Sequence, residues 1–275
     1  SRSGGSRPHV ACCEPRRARV SRTIGVRSGS AGGRTKVRRS LFGLLAVVLG
    51  FSLVAASCGS DDDDSTKAAF IYVGPVGDAG WTYSHDQGRL AAAAETGVET
   101  AFVETVPEGT ADFGNHARDF ICQGFNVIFG TSFGYMDDME ALAEEFPDVV
   151  FDHVSGYKAN GTNFGNSFGR MYEPRYLSGM VAGSATSSNL IGYVAAFPIP
   201  EVIRGINAFT LGVLETNPDA QVEVVWTSTW FDPVVEGDSA QALLDKGADV
   251  IAMHQDSTAA GEKAEAAGAP WVAYN

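Results

Sequence analysis

The sequence predicts an α/β protein made of two successive, mostly parallel sheets flanked by helices. Three observations carry that expectation. From Lys67 onward, short apolar runs alternate with longer amphipathic ones. Most gaps between apolar runs have room for a crossover helix, as parallel strands require. After a long helical stretch ending near Ser187 the alternation starts again, so a second sheet follows the first.

The chain opens with a basic segment, residues 1–40, rich in Arg, Ser and Gly and without hydrophobic period. It holds 11 of the 20 Lys and Arg and one acid, Glu14. Arg34-Thr-Lys-Val-Arg-Arg39 has the charge of a targeting n-region. Residues 41–57 then supply an apolar core, uncharged over the 16 residues Leu41 to Ala56. A membrane span needs about 20, so a signal peptide is the expected reading. Ala55-Ala-Ser-Cys58 resembles the signal of bacterial lipoproteins, with Ala55 where Leu is usual. That resemblance implies cleavage before Cys58 and lipidation of its thiol. The plainer alternative is a secretory signal cut near Ser57. Residues 58–66 then form an acidic tether through Asp61–Asp64, holding the protein just outside a membrane.

The first lobe is expected over 67–188. Its strands are Ala68–Val73, Thr100–Thr105, Asn126–Gly130, Val149–Asp152 and Asn163–Phe168. Its helices are Gly80–Thr96, Ala111–Cys122 and Tyr135–Phe146, followed by the long helix Glu173–Ser187. The second lobe, 189–275, repeats the pattern. Strands Leu190–Val194, Gln221–Trp226, Val250–His254 and Pro270–Tyr274 alternate with helices Ile199–Glu215, Val234–Lys246 and Ala259–Ala267.

Composition is globular, 44% hydrophobic and 19% charged. Outside the basic head, 9 basic and 32 acidic residues remain, a net charge of −23. So acidic a body repels phosphate and is not expected to bind nucleic acid. Cys12, Cys13, Cys58 and Cys122 include no CxxC spacing, which leaves no zinc pattern. Cys122 at the end of a helix is expected to be a packed thiol.

Three chemical readings compete at the strand ends. Gly130-Thr-Ser-Phe-Gly134 matches G-x-S-x-G between a strand and a helix, the setting of a nucleophile elbow with Ser132 as nucleophile. A strand-to-helix loop needs small residues in any case, so a surface hydrolase is the lesser alternative and no enzyme is expected. Gly74, Gly77 and Gly80 do not have dinucleotide-fingerprint spacing, and Asp78 between them would repel a pyrophosphate. His254-x-Asp256 could hold a metal, but no second ligand pair supports one. No cofactor and no metal are expected.

What remains is a set of aromatics in loops at the carboxyl ends of strands, where ligands of open α/β sheets bind. Trp81 and Tyr83 follow the first strand, Phe133 the third, Phe197 the first strand of the second lobe, and Trp230 the next. Asp78, Asp232 and Asp256 lie near them in the pattern. Trp226 and Phe231 are assigned to packing. Stacking faces with polar edges suit a flat heterocycle.

Several segments in order, from the lipoprotein signal to Asn275, resemble the basic membrane protein family of ABC-transporter substrate-binding lipoproteins. They are Gly77-Asp78 before an aromatic and a helix, Glu173-Pro-Arg-Tyr-Leu-Ser-Gly-Met-Val-Ala-Gly183, Leu190-Ile-Gly-Tyr-Val194, Gly205-Ile-Asn-Ala-Phe209 and Gly247-Ala-Asp-Val250. The resemblance implies a two-lobed type I periplasmic-binding-protein fold. It also implies an ABC permease as partner, a membrane anchor through lipid on Cys58, and a purine base or nucleoside in the cleft. A sensor of the same fold is the alternative. Trp81 and Phe197 would sandwich the base. Asp78, Asp256 and Asn275 are candidates for its polar edge, with Phe133, Tyr83, Trp230 and His254 beside them. Asn275 stands where the family has an Asp for ribose hydroxyls, so a free base such as adenine is a reasonable variant beside a nucleoside. Family members continue past this point and return to the first lobe, so the sequence is expected to stop before that lobe is complete.

Overall fold

Apolar runs become strands and amphipathic runs become helices, each within two residues of its expected bounds. The computed structural model describes residues 65–78 and 80–274. The targeting segment, Cys58 with its tether, and Asn275 lie outside the described residues.

The first half runs β1 (Lys67–Ile71), α1 (Trp81–Thr96), β2 (Glu99–Val103), α2 (Asp112–Cys122), β3 (Val127–Gly130), a 3-10 turn (Phe133–Tyr135), α3 (Met136–Glu145), β4 (Val150–Val154) and β5 (Phe164–Ser167). The second runs α4 (Tyr172–Ala185), β6 (Leu190–Ala195), α5 (Pro200–Thr216), β7 (Gln221–Trp226), α6 (Pro233–Asp245), β8 (Val250–His254), α7 (Ala259–Ala266) and β9 (Trp271–Val272). Every strand pair is parallel. The sheets are ordered β2-β1-β3-β4-β5 and β7-β6-β8-β9. Both have the doubly wound layout, in which strand order reverses beside the first strand and leaves a crevice at the strand ends.

Register decides which side chains meet. Ala69 and Ile71 of β1 align with Ile128 and Gly130 of β3, and Ile128 aligns with Phe151 of β4. This face is buried under α2 and α3, with Phe113, Met139 and Leu142 in its core. On the other face Phe70 stacks on Phe129, ring centroids 4.6 Å apart. Helix α1 flanks that face. The Tyr72 hydroxyl donates to Asp86 at 3.3 Å, and the Arg89 guanidinium lies 4.7 Å over the Phe102 ring.

The second sheet is covered on both sides, as its continuous apolar strands require. Ile191, Tyr193, Val250 and Ala252 face Val202, Ile206 and Phe209 of α5. Val194, Ile251 and Met253 face Ala240 and Leu243 of α6 and Ala260 and Ala264 of α7. Full burial of such a side chain contributes about 1.5–3 kcal/mol. Helix α4 packs on α5, and its Ala182 enters that core. The expected division at 188/189 marks where the second set of strands begins; the packing of α4 groups that helix with them.

Candidate ligand-binding cleft

The glycine-rich loop after β1 is organised by Asp78. Its carboxylate accepts the backbone N–H groups of Gly80 (2.9 Å), Thr82 (2.8 Å) and Tyr83 (2.9 Å). The free N–H donors at the start of α1 are thereby satisfied. A phosphate would need those same donors. Trp81 opens the helix, and its Nε1–H donates to the Thr131 carbonyl at 2.6 Å, pinning the indole to the loop after β3. At Gly80 a side chain would bring a Cβ within 3.2 Å of the Asp256 backbone, so the two halves touch closely there.

The opposite wall comes from three elements of the second half. His254 ends β8, Glu201 lies in the first turn of α5, and Tyr274 follows β9. One oxygen of Glu201, Oε1, accepts from His254 Nε2 at 3.0 Å and from the Tyr274 hydroxyl at 3.1 Å. The His254 and Tyr274 rings lie 4.1 Å apart. Burial pushes the Glu201 carboxyl up. The hydrogen bond and attraction of His254, the Tyr274 hydroxyl and the charge of Arg204 outweigh it, and the net shift is down. Burial and Glu201 drive the Tyr274 hydroxyl well above its ordinary range, so it stays protonated as a donor.

Asp256 is the counterpart. Burial, then the charges of Asp78, Glu236 and Glu201, raise its carboxyl well above the ordinary carboxylate range, against a hydrogen bond from the Trp81 backbone N–H. The helix start thus contacts an acid from the far side of the cleft. A second crossing joins Glu108 and Trp230. Glu108 Oε1 accepts from the Ser132 hydroxyl and from Gly134 N–H (2.6 Å), and Oε2 accepts from Trp230 Nε1–H at 3.0 Å.

These groups enclose a cavity of about 20 Å3 between the strand ends of the two sheets. Trp81, Phe133, Trp230, His254 and Asp256 of the expected site line it. Glu201, Tyr274, Ser132, Ser155 and Val73 line it as well. Ser155 holds a left-handed backbone, φ 70°, uncommon for a residue with a side chain and frequent at ligand sites.

Three expected residues do not reach the cavity. Asp78 is committed to the backbone of α1. Tyr83 is 47% exposed. Phe197 packs on Trp230, centroids 4.9 Å apart, so it stands behind that indole rather than opposite Trp81. Asn275 is outside the described residues. Trp226 and Phe231, assigned to packing, are exposed. Ser132 lacks the contacts of a nucleophile. Its hydroxyl donates to Glu108, and His153 Nε2 donates to the Ser132 backbone carbonyl at 2.7 Å, not to the hydroxyl. Glu201 escaped notice because an acid in the first turn of a helix is ordinary dipole complementation. Tyr274 escaped as an apolar strand residue one position before the expected Asn275.

Solved structures share this fold of two parallel sheets flanked by helices. An ABC transporter system solute-binding protein from Conexibacter woesei superposes with a TM-score of 0.60 at 24% identity, over 75% of this chain and 69% of that one. The chain belongs to the Bmp family, described as ABC transporter substrate-binding protein PnrA-like, whose model matches residues 65–274. That is a family of solute-binding proteins, not of enzymes. A purine-binding protein of Brucella abortus is 45% identical over 79% of this chain and 61% of its own length. A Haloferax volcanii protein, provisionally named as an ABC transporter glucose-binding protein, is also 45% identical, over 79% of this chain and 55% of its own. The chain thus spans a little over half the length of these relatives.

Proposed function

We propose that this chain carries the cleft of an extracytoplasmic ABC substrate-binding protein that takes a purine-like heterocycle between its lobes. Lipid on Cys58 tethers it to the membrane, and an ABC permease receives the ligand. The lobes divide before α4.

The observation that supports this reading most is the chemistry of the cavity wall. Trp81 and the Trp230, His254 and Tyr274 rings supply flat faces, and Glu201 and Asp256 supply polar edges. Among the described residues, no Arg, Lys, Asn or Gln lines the cavity. A sugar presents a hydroxyl on nearly every carbon and calls for more polar partners than this wall provides. A flat ring with a few N–H groups matches it better. The two named relatives differ on this point, purine against glucose, and the wall favours purine.

The cavity is far smaller than the roughly 300–1,000 Å3 of ordinary ligand sites. Entry therefore requires the lobes to part, and the ligand is held when they close. Calorimetry on the full-length protein with adenine, adenosine, hypoxanthine and glucose tests the reading. The expected result is micromolar or tighter binding of at least one purine, with Trp81 fluorescence quenched and the protein fractionating with membranes. Heat from glucose alone would overturn the purine assignment.

A further inference from the structure

We propose that Glu201 selects the ligand, its free oxygen Oε2 accepting an N–H from the heterocycle edge. This rests on the purine-like reading above and names the group that reads it.

The two oxygens of Glu201 have unequal surroundings. Oε1 takes both protein donors, His254 Nε2–H at 3.0 Å and the Tyr274 hydroxyl at 3.1 Å. No donor among the described residues is bonded to Oε2. The side chain is nonetheless only 8% exposed and lines the cavity. With both protein donors on Oε1, Oε2 is the oxygen left to accept a ligand N–H, and a hydrogen bond to a charged group is among the stronger ones. The two donors on Oε1 also hold the carboxylate in place at the cavity wall before a ligand arrives.

The surroundings keep this acceptor charged. Glu201 lies in the first turn of α5, where the helix dipole favours an anion. Nearby Arg175 is turned away. It donates to the Met253 carbonyl at 2.7 Å and the Ala273 carbonyl at 3.3 Å, with its guanidinium 4.6 Å over the Tyr274 ring. Among the described residues no Lys or Arg lines the cavity to compete for Oε2. Asp256, just past β8 on the same half as Glu201, supplies a carboxyl that can donate an O–H when protonated. The pair offers one acceptor and one donor. That pattern suits a ring bearing an N–H donor and a ring-nitrogen acceptor, and it repels phosphorylated or carboxylated ligands.

The test is calorimetry on the full-length protein with adenine, 9-methyladenine and N6,N6-dimethyladenine, for wild type and Glu201→Gln. Glu201→Gln is expected to weaken adenine by about 10- to 150-fold, the range for a hydrogen bond to a charged group. In wild type at least one methylated analogue is expected to lose affinity by a similar factor. That penalty should shrink in Glu201→Gln, which a merely structural role would not produce. Wild type binding all three alike overturns the proposal without any variant, and so covers a variant that fails to fold. Adenine binding unchanged in Glu201→Gln overturns the role of Glu201 and leaves the purine reading standing. Wild type that binds glucose and no purine overturns both.

Discussion

At the scale of single residues, Asp256 has the most unusual setting. It is 6% exposed and shares its surroundings with the carboxyls of Asp78, Glu236 and Glu201. Its folded-state pKa lies above its unfolded value, so the folded protein holds the proton more tightly. Stability contributed by this group is full below the unfolded pKa and is lost as pH rises through the folded one. Asp256→Asn mimics the protonated form. It is expected to melt higher than wild type at pH 8, with the difference shrinking toward pH 4. Differential scanning calorimetry across that range checks it, and a constant offset would contradict it. Sequence placed Asp256 in the site but not the reason for its raised pKa. The acids around it come from the loop before α1, from α5 and from α6, and nothing in the spacing of Asp78, Glu201 and Glu236 announces that they converge.

Elements were the most legible level. Strand and helix bounds follow from periodicity and chain punctuation, and these are local. The pairing of α4 with α5 is not local, yet its cause is visible in the chain as small residues at Gly179 and Gly212. A Cβ at Gly179 would collide with the Phe209 carbonyl, and one at Gly212 with the Tyr176 carbonyl. The helices therefore touch backbone to backbone. Gly212→Ala is expected to destabilise the protein by about 1–3 kcal/mol through overpacking, despite the better helix propensity of Ala. Chemical denaturation measures this. A gain in stability would show that the helices part without cost. The small-residue face was readable in α4, but which helix it meets was not.

At the scale of the whole molecule, two crossings hold the halves together over the cleft: Gly80 and Trp81 against Asp256, and Glu108 against Trp230. The second is open to test. Trp230→Phe keeps an aromatic face and removes the donor to Glu108. Loss of a hydrogen bond to a charged group costs about 1.5–3 kcal/mol. The variant is expected to bind ligand about 10- to 150-fold more weakly, chiefly through faster release, as stopped-flow fluorescence would show. Unchanged release would place closure elsewhere. By itself the sequence determined the alternation of strands and helices, the restart after α4, the acidic body and the aromatic strand ends, because each is written in neighbouring residues. Only the tertiary structure decided that Asp78 caps α1, that Phe197 stands behind Trp230, and that Glu201, His254 and Tyr274 form one hydrogen-bonded group. Those outcomes depend on where separate strand ends meet, and the contacts that set them join residues as far apart as Glu108 and Trp230.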